Sequence, residues 1–150
     1  MPGALYETHL QVRNLDESVA FYQKLGMKLA YRIENRNVAF FWFGPESEQM
    51  LGLWQSAPNQ PVQPRHFAYR VTPEELAGAA DWLRERGIEP QPAFGKEPVE
   101  PIVHAWMPAA ALYFTDPDGN SLEFIALLDE PPQELNDILY WSEWRTLRSR

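Results

Sequence analysis

Ile102-Val103-His104, a seven-residue spacer and then Leu112-Tyr113-Phe114-Thr115-Asp116-Pro117-Asp118-Gly119-Asn120-Ser121-Leu122-Glu123 form the stretch whose reading decides the fold. It reads as strand, tight turn, strand. Asp116-Pro117-Asp118-Gly119 suits a type I turn, with Pro fixing φ at the second position and Gly giving freedom at the fourth. Ala111 to Phe114 before the turn and Leu122 to Leu127 after it are short, branched or aromatic runs, as strands are. Glu123 breaks the second run. A carboxylate inside an apolar strand is costly to bury unless a cationic group meets it, so a basic side chain or a metal ion is expected to face it. Two upstream histidines favour the metal.

Working outward, the first segment from Glu7 to Arg13 alternates, with Glu7, His9, Gln11 and Arg13 on one face and Thr8, Leu10 and Val12 on the other. That is a half-buried strand with one polar side. Asp16 is the expected N-cap of a helix from Glu17 to Leu25, stopped at Gly26. Strand-like runs follow at Met27 to Ile33, Val38 to Phe43 and Met50 to Gln55. Residues 56–64, with three prolines and little that can pack, read as a linker.

The pattern then restarts. Arg65 to Val71 alternates, with His66, Ala68 and Arg70 on one face. Thr72-Pro73-Glu74-Glu75 is a capping box with Pro at the first helical position, and the helix it opens is expected to stop at Gly87. Strands are expected near Ile88 to Ala93, from Val103 to Met107 or beyond, at Ala111 to Thr115 and at Leu122 to Leu127. Residues 94–110 form a longer, Pro-bearing excursion. Two copies of strand, helix and three strands are therefore expected, about 5–56 and 65–128, in one α+β domain. They register on their histidines, His9 with His66, and Gly52 falls opposite Glu123. Residues 133–148 read as a C-terminal amphipathic helix packed on its own sheet or on a second copy.

Bulk properties narrow the function classes. A chain of 150 residues without cysteine has neither disulfides nor thiolate metal sites, which suits a reducing compartment, and cytoplasm is the expected location. No apolar run spans a membrane and no export signal is read. The formal charge of −8 argues against nucleic acid and anionic membranes as partners.

Asn14-Leu15-Asp16-Glu17-Ser18-Val19-Ala20-Phe21-Tyr22 after the first His strand, and Tyr113-Phe114-Thr115-Asp116-Pro117-Asp118-Gly119-Asn120 before Glu123, resemble the vicinal oxygen chelate superfamily over residues 5–128. That superfamily holds glyoxalase I, extradiol dioxygenases, fosfomycin-resistance transferases and bleomycin-binding proteins. The resemblance implies two βαβββ modules in an eight-stranded, cup-shaped mixed sheet, formed within a chain or across a homodimer, around a divalent cation. His9, His66 and Glu123 would be its ligands, a facial triad open to a small molecule that chelates through neighbouring oxygens. Fe, Mn, Zn, Ni and Co all suit that set. Gly52 stands where glyoxalase I has its second carboxylate ligand, and Trp54, two residues on, is expected to wall the substrate pocket with Arg70. Residues 95–110 offer Lys96 and His104 but no Ser, unlike the fosfomycin transferases.

The signature of extradiol dioxygenases is filled by His104, Leu112-Tyr113, Asp116-Pro117, Gly119 and Glu123. By that likeness His104 and Tyr113 would line the pocket and act on the chelated substrate. The second acid/base His usual in those enzymes is missing, since no His lies between His9 and His66. A metal-dependent extradiol-type dioxygenase is thus the leading expectation, ahead of a glyoxalase-like lyase or isomerase and of a metal-assisted binding protein of the resistance type.

Overall fold

A computed structural model describes residues 1–149. The chain divides into two compact units: residues 1–65 with 116–120, and residues 66–115 with 121–149. Among the described residues no helix is long and apolar enough to cross a membrane.

In the first unit β1 (Glu7–Val12), helix α1 (Leu15–Lys24), β2 (Lys28–Ile33), β3 (Val38–Phe43) and β4 (Gln49–Gln55) follow in order. The sheet runs β1-β4-β3-β2, with β1 parallel to β4 and the other pairs antiparallel. Alternation in β1 does what the sequence implies: Leu10 and Val12 are buried, and His9 lies on the opposite face. Helix α1 starts two residues earlier than expected. Asn14, not Asp16, caps it, because the Asn14 Oδ1 accepts from Glu17 N at 3.0 Å, while Asp16 sits in the first turn and pairs with Arg32 at 2.7 Å.

Residues 116–120 fold against this unit, and two buried carboxylates hold them there. Asp116 accepts from the Tyr22 hydroxyl and the Asn120 amide, both at 2.8 Å, and from the backbone N–H groups of Asp118 and Asn120. Asp118 accepts from Arg13 N at 2.9 Å, from the Arg13 guanidinium at 3.1 Å and from Ser18 Oγ at 3.3 Å. The turn closes as read, with Gly119 at φ +81° and its N–H donating to Asp116 O. Ser18 and Tyr22 come from the helix motif, so the two motifs typical of the superfamily bind one another. Their role is structural.

The second unit contains β5 (His66–Arg70), α2 (Pro73–Arg84), β6 (Ile102–His104), β7 (Ala109–Thr115), β8 (Ser121–Leu127), β9 (Leu139–Tyr140) and α3 (Trp141–Arg148). Its sheet runs β5-β8-β7-β6-β9, the first unit's order with one strand added. The Thr72 capping box is present as read, and α2 packs on β7 and β8, with Trp82 edge-on to Phe124. Phe67, Leu112, Phe114, Leu122 and Phe124 alternate onto that covered face. His66, Ala68, Arg70, Ile102, His104, Ala109, Ala111, Tyr113, Glu123 and Ile125 share the other one.

Three further expectations are corrected. Ile88 to Ala93 forms no strand, since Pro90 and Pro92 remove alternate ladder donors; two isolated bridges remain, Gln91 with Tyr113, where Gln91 N donates to Tyr113 O at 2.8 Å, and Ala93 with Lys96, and β6 becomes the second strand of the repeat. Residues 133–138 are not helical. Leu139 and Tyr140 pair instead with the exposed edge of β6, which needs hydrogen-bond partners, and the helix opens only at Trp141, with Tyr140 as its N-cap. The segment packs within its own unit, where Trp144 is fully buried. Third, the histidines do not occupy one register. His9 lies opposite Gly52, whereas His66 lies opposite Ser121 and Ala68 opposite Glu123, an offset of one full side-chain repeat.

Candidate metal and substrate site

In the second unit the open face of the sheet gathers the titratable groups. Glu123, 4% exposed, sits centrally on β8 with Tyr113 opposite it on β7. Its Oε2 lies 3.0 Å from His66 Nε2. The other ring nitrogen of His66, Nδ1, donates to Ser121 O at 2.9 Å, which fixes the tautomer and leaves Nε2 as the atom aimed at the carboxylate. With Nδ1 so engaged, Nε2 facing a carboxylate needs either its own proton or a cation shared with the oxygen. Glu123 Oε1 is buried and has no hydrogen-bond partner. A buried carboxylate with one oxygen unsatisfied and an imidazole nitrogen beside the other has the donor chemistry of half a divalent-cation site.

His104 ends β6 and is buried, 8% exposed, with Nε2 at 2.9 Å from the Tyr113 hydroxyl. Burial holds its imidazole below the ordinary histidine range, with the Glu123 charge pulling the other way. Burial first, and the Glu123 charge second, push the Tyr113 phenol well above its ordinary range. Both groups are therefore neutral near pH 7. They form a proton-donating and proton-accepting pair on the same face as Glu123, with the Tyr113 ring 6.1 Å from that of His66.

His9 belongs to the first unit, and its ring is fully engaged there. The Trp54 indole N–H donates to its Nδ1 at 2.6 Å, and the two rings stack at 5.8 Å. Its Nε2 lies 3.3 Å from Glu7 Oε1. The ring covers Gly52 so closely that a Cβ there would meet Nδ1 at 3.0 Å. Among the described residues no group of three or more His, Asp or Glu side chains is gathered at one point.

Residues 5–124 match the model of the glyoxalase/bleomycin resistance protein/dioxygenase superfamily. The chain belongs to that superfamily. An integron cassette protein from the mobile metagenome of the Halifax Harbour sewage outfall is 30% identical, over 83% of this chain and 98% of that one, with a TM-score of 0.68. A glyoxalase/bleomycin resistance protein/dioxygenase from Nocardioides is 28% identical, over 91% of each chain, with a TM-score of 0.65. The lactoylglutathione lyase of Agrobacterium tumefaciens, 24% identical over 83% of this chain and 94% of its own, shares the fold with a TM-score of 0.63.

As a superfamily member the chain has a fold that serves enzymes and small-molecule binders alike, and its own side chains must distinguish them. Of the residues singled out in the sequence, His66, Glu123, Tyr113 and His104 lie together on one face of one sheet. Arg70 lies on that face two residues beyond Ala68, opposite Ile125. Trp54 lies on the face of Gly52 and His9, as its spacing requires, and is 37% exposed. Sequence reasoning missed Phe94, whose ring meets His104 edge-on at 5.4 Å and Tyr113 at 5.9 Å. Its one signal was the Phe94-Gly95 pair in a Pro-bearing excursion.

Proposed function

We propose that this superfamily member is a metal-dependent enzyme that acts on a small substrate chelating through two neighbouring oxygens, of the extradiol dioxygenase type. The observation that supports it most is the His66–Glu123 pair, with Nδ1 of His66 committed to a carbonyl and Glu123 Oε1 left without a partner. His66 and Glu123 would hold the cation, while His9, which the resemblance named as a third ligand, is engaged within its own unit by Trp54 and Glu7. A divalent cation would supply charge stabilisation for a chelated oxygen and, if it is redox-active, an electron path to dioxygen.

The rest falls to this chain's own groups. His104, kept neutral by burial, can take a proton from a substrate hydroxyl at Nδ1 when its Nε2–H donates to the Tyr113 oxygen, which leaves the Tyr113 hydroxyl free to donate. Tyr113, whose phenol stays protonated, supplies a fixed hydrogen-bond donor toward developing negative charge. Ala109 and Ala111, both buried, keep water from that part of the face.

The test loads the protein with Fe(II) without air, adds a panel of catechols and then admits oxygen. The reading expects oxygen uptake with a new visible absorbance, and a loss of roughly 10² to 10⁴ in rate for each of His104→Ala and Tyr113→Phe. Turnover that proceeds equally well with Zn(II) and without oxygen would overturn the dioxygenase assignment in favour of a glyoxalase-like isomerase or lyase.

A further inference from the structure

The turn that carries Phe94 is built against its own local preference. Ala93 N donates to Lys96 O at 3.1 Å and Lys96 N to Ala93 O at 2.9 Å, so Phe94 and Gly95 are the two central residues of a hairpin turn. Their φ angles are +53° and +72°. Positive φ at both positions marks the type I′ form, for which Asn-Gly is the favoured pair and in which an aromatic residue crowds its own Cβ against the carbonyl.

Core packing does not account for the choice, because Phe94 is 62% exposed. The turn is instead held from outside. Lys96 Nζ lies 4.2 Å over the Tyr140 ring and 3.6 Å from Glu143 Oε2, and the Tyr140 hydroxyl donates to Glu97 O at 3.1 Å. Tyr140 in turn is fixed by the pairing of β9 with β6. Strain retained by surroundings that over-determine it is a mark of a functional position. What it yields here is an open aromatic ring set edge-on against His104 and Tyr113.

We propose that Phe94 is a specificity-determining residue, whose exposed ring is the wall against which the aromatic part of a ligand packs while its paired oxygens point toward His66 and Glu123. The inference rests on the chelating-substrate reading above and adds the kind of substituent the site selects. An offset-stacked or edge-to-face ring contact favours a phenyl over a methyl substituent by roughly 2- to 13-fold beyond the effect of burial.

Mandelate and lactate share the vicinal-oxygen head and differ in that substituent. Calorimetric titration of both into the zinc-loaded full chain should show mandelate bound roughly 2- to 13-fold tighter by the wild-type protein, and a ratio near one for Phe94→Asn. The same substitution supplies the favoured Asn-Gly turn, so its melting temperature should rise by about 2–4 °C, the opposite of what a structural role for the ring gives. A preserved ratio, or a fall in melting temperature, would overturn the inference. Phenol titrated into the metal-free protein provides a second arm, read on the His104 and Tyr113 ring signals by NMR. A shift in wild type that Phe94→Asn abolishes supports the wall even if no cation binds, in which case only the metal reading fails. No shift in wild type overturns the wall itself.

Discussion

Adding one methyl group at Gly52 tests how His9 is held. Glycine in a strand interior usually costs roughly 0.5–1 kcal/mol relative to alanine, so Gly52→Ala on its own would stabilise the protein. The structure reverses that sign. An added Cβ would stand 3.0 Å from His9 Nδ1, 3.1 Å from Cε1 and 3.2 Å from Cγ. The ring cannot simply slide, since Trp54 stacks on it at 5.8 Å and Phe40 meets it edge-on at 5.9 Å. It must rotate outward and lose the 2.6 Å bond from the Trp54 indole. Overpacking costs about 1–3 kcal/mol and the lost hydrogen bond about 1 kcal/mol. His9's side chain is 38% exposed, which gives it a way out and favours the lower end. A net loss of about 1–2 kcal/mol follows once the backbone gain is subtracted, or a fall of roughly 2–8 °C in melting temperature for a domain of this size. Calorimetry on both proteins, with tryptophan emission followed through the transition, measures it. A variant as stable as wild type or more stable, with unchanged emission, would refute the close packing of His9 on Gly52.

Asp116→Ala strands the Tyr22 hydroxyl, the Asn120 amide and two backbone donors in a buried turn, and should cost about 3–5 kcal/mol by urea unfolding. Tyr22→Phe removes one of those bonds to a charged acceptor and should cost about 1.5–3 kcal/mol; equal stability for both variants would contradict the hub. Burial sets the folded pKa of His104 below its unfolded value of about 6.5, so between the two the unfolded chain binds more protons and stability falls as pH falls. The stability of wild type minus that of His104→Gln should therefore be flat above about pH 6.5 and decline below it; a difference that grows on acidification would show the opposite shift.

The elements that alternation and capping specify were legible in the sequence. The polar face of β1, the Thr72 capping box, the strands flanking the Asp116 turn and the isolation of Glu123 in β8 each follow from a local rule that tertiary packing did not override. Where reading failed, a backbone requirement competed with side-chain pattern. Ile88 to Ala93 has strand-like apolar residues, but its prolines cannot complete a ladder. Leu139 fits a helical stripe, yet the open edge of β6 claims the backbone of Leu139 and Tyr140.

Site residues were legible where one carried its own anomaly, as the buried Glu123 did. His66 and His104 could be named, but the hydrogen bonds that make them useful could not. Ser121 contributes a carbonyl, which every residue has, and Tyr113 meets His104 only through the pairing of β6 with β7. Phe94 was invisible because its position depends on contacts from residues 140 and 143, far along the chain. The Asp116 turn was legible from its Pro and Gly, but that its two carboxylates hold it to helix α1 through Tyr22 and Ser18 was not, since those contacts join residues about a hundred positions apart.

Cation stoichiometry tests the central claim most directly. The full chain is dialysed without air against Fe(II), and in parallel against Mn(II), and its metal content is measured by elemental analysis for wild type, His66→Ala and Glu123→Gln, with unfolding curves to show that each remains folded. One ion per chain in wild type and none in either variant is the result expected of a site built on His66 Nε2 and the Glu123 carboxylate. Folded variants that retain the wild-type content, or a folded wild type that takes up neither metal, would contradict it.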